Sequence, residues 1–190
     1  VGLAVGVSRR PPEPVPRFLA VDPPHGHFAL AAAPVLSPDG QSVVFWAPDE
    51  HGITRLWLRQ FAAPTAVALA VPTPTDGVIE RPFFAPDGRA LALFLDEKLR
   101  RYDLPNGPLR VLADAPNALG GTWSADDTIV YQPAFGEPTL YRVPAAGGQA
   151  QPLPLALPDA VSPTYPQFLP DGRRLLVSSA TGTYLGSLEE

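Results

Sequence analysis

Ser37-Pro38-Asp39-Gly40, followed by Gln41-Ser42-Val43-Val44-Phe45-Trp46, decides how the rest of the chain is read. The unit recurs. Ala85-Pro86-Asp87-Gly88 precedes Arg89 to Phe94, Ser124-Ala125-Asp126-Asp127 precedes Thr128 to Tyr131, and Leu169-Pro170-Asp171-Gly172 precedes Arg173 to Val177. The aspartates at 39, 87, 126 and 171 are 48, 39 and 45 residues apart. A period near forty is the mark of a stacked repeat or a propeller.

The chemistry of the tetrapeptide explains the turn. Pro38, Pro86 and Pro170 preset φ at the second position of a type I turn. Ser37 at the first position offers a hydroxyl to nearby backbone, and Asp39, Asp87, Asp126 and Asp171 cap backbone N–H groups. Gly40, Gly88 and Gly172 at the fourth position accept a left-handed conformation. Apolar runs flank each copy, so each reads as a hairpin. The third copy has Ala125 for proline and Asp127 for glycine, and its next strand starts one residue earlier. That hairpin is expected to be tighter and less well specified.

Two more apolar runs follow each hairpin. The third runs are Leu56 to Leu58, Leu99 to Leu104, Leu140 to Val143 and Tyr184-Leu185. The fourth are Val67 to Leu69, Leu109 to Leu112 and Leu153-Pro154-Leu155, with none after Tyr184-Leu185. Four short strands per unit is the blade of a propeller. The sequence therefore predicts an all-β chain: a β-propeller fragment of about four four-stranded antiparallel blades, the last incomplete. Leu36, Phe84, Trp123 and Phe168 each stand three residues before a turn aspartate. They are expected to share one position, packed between neighbouring blades.

Composition supports this class. The 26 prolines fall between strand runs and argue against helix. A net charge of −5 with a single lysine, Lys98, leaves no footprint for nucleic acid. The pairs Arg9-Arg10, Arg100-Arg101 and Arg173-Arg174 read as exposed strand or turn residues. With no cysteine, disulfides, thiolate nucleophiles and cysteine metal sites are excluded. Residues 1–16 read as an apolar start followed by the semi-rigid linker Pro11-Pro12-Glu13-Pro14-Val15-Pro16. The start is either the tail of a membrane helix or signal segment or a frayed end; its seven residues are far short of the ~20 that span a bilayer. Residues 17–190 read as the partial propeller. Arg17 to Val21 is a candidate strand to complete a blade.

The repeats resemble the WD-like units of TolB-type β-propellers over about residues 28–190. The stretches Lys98 to Leu104, Leu112 to Ala115, Gly120 to Trp123, Leu140 to Val143 with Ala146 to Gly148, and Tyr165 to Gly172 are similar to the propellers that follow the membrane helix of bacterial eukaryotic-like serine/threonine protein kinases. The resemblance implies a non-catalytic interaction or sensing module that is extracytoplasmic and membrane-anchored through an upstream helix. It brings no kinase activity: the Gly-rich phosphate loop and the His-Arg-Asp loop are absent from the sequence. Two alternatives stay open, a TolB-type periplasmic accessory protein and the gating propeller of a prolyl-oligopeptidase-like serine hydrolase.

Candidate sites are few. His25 and His27 lack a third ligand of clear spacing, so no metal is assigned. No cofactor is expected, and the periodic aspartates read as structural, not catalytic. A binding surface is expected where innermost strands converge near a central channel. Glu80, Arg81 and Tyr165 stand just before those strands and are the candidate binding residues. The expected partner is a protein, a peptide or a small ligand. Missing blades or neighbouring chains are expected at the open edge.

Overall fold

The computed structural model describes residues 20–27, 33–73, 82–155, 157 and 162–188. Fifteen strands form four antiparallel sheets, and no helix occurs among the described residues. Blade 1 comprises β1 (Val35–Leu36), β2 (Ser42–Pro48), β3 (Thr54–Gln60) and β4 (Val67–Ala68). Blade 2 comprises β5 (Phe83–Phe84), β6 (Ala90–Leu95), β7 (Lys98–Asp103) and β8 (Leu109–Asp114). Blade 3 comprises β9 (Gly121–Trp123), β10 (Thr128–Tyr131), β11 (Leu140–Pro144) and β12 (Gln151–Leu153). Blade 4 holds β13 (Thr164–Phe168), β14 (Arg174–Ser179) and β15 (Gly182–Ser187). Within each blade the strands pair in chain order, as the expected open propeller requires.

The corners form as their residues dictate. Gly40 N–H donates to the Ser37 carbonyl at 2.9 Å, and Gly88 and Gly172 repeat that bond to Ala85 and Leu169. All three glycines have φ between +66° and +72°. The Asp39, Asp87 and Asp171 carboxylates each accept a backbone N–H two residues on, at 2.9 Å. In the third corner Asp127 takes the glycine's place at φ 61°. The turn is one residue shorter, as expected, because the closing bond runs from Ser124 N to Thr128 O instead of spanning five residues. It is not less well specified. The Ser124 hydroxyl bonds the Asp126 carboxylate, and Trp123 Nε1 donates to Asp127 at 3.1 Å. One strand is displaced from its expected place: β12 ends at Leu153. Pro154 has no N–H to continue the ladder.

Alternation along β2, β6, β10 and β14 builds the core. Val44 and Trp46 face blade 2, where Phe84, Leu91 and Leu93 meet them. Ala92 and Phe94 on the opposite face meet Trp123, Ile129 and Tyr131 of blade 3. Val130 and Leu140 meet Leu175, Val177 and Phe168 of blade 4. Phe84, Trp123 and Phe168 thus share one inter-blade position, as expected. Leu36 departs from it and is 60% exposed. Its neighbour Val43 packs with Phe45, Ala47, Trp57 and Val21 on the side of blade 1 away from blade 2. Among the described residues no blade stands there to receive Leu36. Val21 therefore packs on blade 1, and neither Ala20 nor Val21 lies in a strand. The remainder of the candidate completing strand, the linker and the apolar start lie outside the described residues.

Arg100-Arg101 also differs from its reading as an exposed pair. The Arg101 guanidinium stacks over Trp123 at 5.2 Å and donates to Asp103 at 2.7 Å and to the Ala145 carbonyl at 3.1 Å. It braces blade 2 against blade 3. Arg173-Arg174 conforms: the Arg174 guanidinium turns back to its own corner and pairs with Asp171 at 2.5 Å.

Candidate binding cleft

Residues of β1, β5, β9 and β13 line one cleft of about 400 Å³. Its walls include Val35, Phe83, Gly121, Thr122, Tyr165 and Gln167. The cleft lies where these short innermost strands come together. Two glycines let aromatic rings lie against bare backbone. A Cβ on Gly121 would stand 2.8 Å from Phe83 Cζ, and one on Gly120 would stand 2.9 Å from Tyr165 Cδ1. Gly120 also has φ +83°, a conformation that suits glycine.

Tyr165 is held in a strained posture. It has φ 48°, unusual for a bulky residue. A register irregularity between Thr164 and Gln167 lifts it out of the β13–β14 ladder. Its N–H donates to the Leu119 carbonyl at 2.9 Å, which fixes the bulge against blade 3. A second tie runs from Phe168 N–H to the Thr122 hydroxyl at 3.2 Å. The result is an aromatic ring 58% exposed at the cleft wall, on backbone that two blades anchor. Bulges that re-aim a side chain are frequent beside functional sites.

Among the described residues the cleft wall carries no charged side chain. Its chemistry is aromatic and apolar, with Thr122, Gln167 and backbone groups as polar partners. Of the three sequence-derived candidates, Tyr165 is placed in the cleft, while Glu80 and Arg81 lie outside the described residues. Sequence reasoning missed Phe83 and Gln167, because a propeller's inner strands show no motif beyond their position ahead of a turn.

The corner aspartates stand apart from the cleft, each on its own blade. The Asp39 carboxyl is held below its usual range by the Ser37 hydroxyl, which donates at 2.5 Å, and by the Gln41 N–H. Asp171 is pulled down to about 2 by the Arg173 and Arg174 N–H groups and the Arg174 guanidinium. These are folding devices. His25 lies 6.4 Å from the Trp57 ring, and among the described residues no cluster of three metal-ligating side chains occurs.

No known family matches the sequence, and no curated protein matches it. The fold does have solved counterparts. TolB from Acinetobacter baumannii superposes with TM-score 0.55 at 23% identity, over 82% of this chain and 43% of that one. A chain of the nidogen/laminin complex gives TM-score 0.61 at 15% identity, over 83% and 58%. A puromycin hydrolase gives TM-score 0.57 at 19% identity, over 80% and 26%. This chain spans less than two thirds of each. It is an open, incomplete β-propeller, similar in fold to TolB and to propellers of otherwise different proteins.

Proposed function

We propose that this chain is a non-catalytic interaction module that holds a protein or peptide segment in the central cleft. The observation that carries the reading is the anchored, exposed Tyr165, which lines with Phe83 a cavity of about 400 Å³ whose described walls carry no charged side chain. Rigid aromatic faces with a few polar groups suit recognition without chemistry. The nidogen/laminin structure is a propeller in a protein complex, which agrees with this use of the fold. Placing a photo-crosslinking amino acid at position 165 in the source cells tests it, with position 50 as an exposed control. The reading expects a discrete protein or peptide adduct at 165 and none at 50. Equal, diffuse labelling at both positions overturns it.

The finer setting follows from the resemblance of the repeats. We propose residues 17–190 as part of the extracytoplasmic propeller of a membrane serine/threonine kinase, joined through the proline linker within residues 1–16. A kinase domain encoded ahead of Val1 supports it. A signal peptide with a small N-terminal domain favours a TolB-type accessory protein instead. A Gly-x-Ser-x-Gly motif encoded downstream favours a hydrolase's propeller; the fold shared with puromycin hydrolase keeps that reading in view.

The open side of blade 4 belongs to the same proposal. Leu176 and Leu185 pair across β14 and β15 on the face pointing away from blade 3, and Leu185 is 55% exposed. The corresponding faces of blades 1 to 3 are each covered by the next blade. A further blade, of the parent protein or of a neighbouring chain, is the proposed cover.

A further inference from the structure

A second cavity lies away from the cleft, where blades 2 and 3 meet at their outer strands. It measures about 460 Å³. Leu112 and Asp114 of β8 form one wall. Tyr131, Tyr141 and the loop bearing Glu137 form the other. The two tyrosine rings stand 6.3 Å apart, centroid to centroid. Tyr131 is buried and donates its hydroxyl to the Asp114 carbonyl at 3.3 Å. Burial pushes its pKa up to about 12, so the phenol is neutral at physiological pH.

The two carboxylates differ. Asp114 is ion-paired with Lys98 at the lip. Glu137 is half-buried, and among the described residues no cation pairs with it. An unpaired carboxylate beside aromatic faces is the arrangement that attracts an organic cation, by charge and by the ring quadrupole together. Phe135, two residues before Glu137 on the same loop, is 77% exposed. An exposed aromatic on the same loop is available to pack against a partner, and aromatic side chains are favoured where interfaces bury them. The net charge of −5 steers basic partners toward the chain.

We propose that this rim pocket takes an arginine side chain of a partner polypeptide. The guanidinium stacks on Tyr141 and pairs with Glu137, while Phe135 anchors the flanking residues. Arginine fits better than lysine because its planar group can stack and donate in a fork at once. The site is separate from the central cleft and stands or falls independently of it.

The test titrates N-acetyl-arginine amide into the full chain and follows backbone NMR shifts, with N-acetyl-citrulline amide as the neutral isostere. The expected result is shifts centred on Glu137 and Tyr141, with citrulline weaker by about threefold to tenfold. Glu137→Gln should weaken arginine binding by a similar factor and leave the shifts of the distant Tyr165 unchanged. The pentapeptide Gly-Leu-Arg-Leu-Gly should bind more tightly than the amide, and Phe135→Ser should remove that gain. Equal binding of citrulline, indifference to Glu137→Gln, or shifts centred elsewhere overturns the proposal. A peptide no tighter than the amide overturns the role given to Phe135.

Discussion

Phe83 lies so close to Gly121 that a single added methyl would stand 2.8 Å from its Cζ. One inner strand is therefore seated on the bare backbone of the next, and the cleft wall inherits its shape from a missing side chain.

Gly121→Ala should displace the Phe83 ring and cost about 1–3 kcal/mol, the range for overpacking. Urea denaturation measures the loss. If the ring relocates into the cleft, ligand capture at Tyr165 falls with it, whereas Phe83→Leu relieves the clash and restores stability in the double variant.

Acid should weaken the fold through its corners. A carboxyl whose folded pKa lies below its unfolded value binds fewer protons when folded. The stability it contributes is complete above the ordinary value of 3.8 and is lost as pH falls toward the about 2 of Asp171. Asp39, lowered by Ser37 and Gln41, and Asp49, lowered chiefly by Arg55, act in the same direction. The thermal midpoint should therefore drop between about pH 4 and about pH 2. Asp171→Asn should start lower and decline less over that window; an unchanged slope would remove Asp171 from the account.

Arg101→Ala should loosen the joint between blades 2 and 3. It removes the stack on Trp123, the bond to the Ala145 carbonyl and one partner of Asp103. At Asp103 burial raises the carboxyl pKa, but bonds from Arg101 and Arg110 outweigh it and the net direction is down. A loss of about 1–3 kcal/mol is expected. Arg101→Lys should recover only part, since an ammonium cannot stack and fork together. Trp123 fluorescence reports the joint directly.

The open face of blade 4 should make the isolated chain self-associate. Leu185 is 55% exposed and pairs with half-buried Leu176 on a strand that carries no charge from Gly182 to Ser187. Leu185→Lys places a charge there, the usual protection of an edge. Light scattering at rising concentration should show growth for the native chain and little for the variant. Identical curves would place the sticky surface elsewhere.

The repeat was legible because its chemistry is local. Proline, aspartate and glycine in fixed order specify a corner wherever they occur, and four copies set the strand pattern around them. Leu36 was not legible. It is apolar and stands at the same place before a corner as Phe84 and Phe168, but its exposure depends on whether a blade stands beside it. Arg101 escaped for a similar reason, since its partners Trp123 and Ala145 lie on another blade. In the cleft, Tyr165 could be found from the expectation that the starts of inner strands converge, although it lies within β13 and not ahead of it. Its φ of 48° could not, because the bond that holds it there, from its N–H to the Leu119 carbonyl, reaches another blade.

Each of the three apolar clusters between blades joins only two successive blades. Cooperativity in such an array passes from neighbour to neighbour, without a single centre. Blade 4 shares one such seam and blade 2 shares two. Amide exchange should thus run as a gradient along the chain, quickest in β15 and slowest in β6. A partner seated on the last blade would then be felt as far as the first, as slower opening relayed seam by seam.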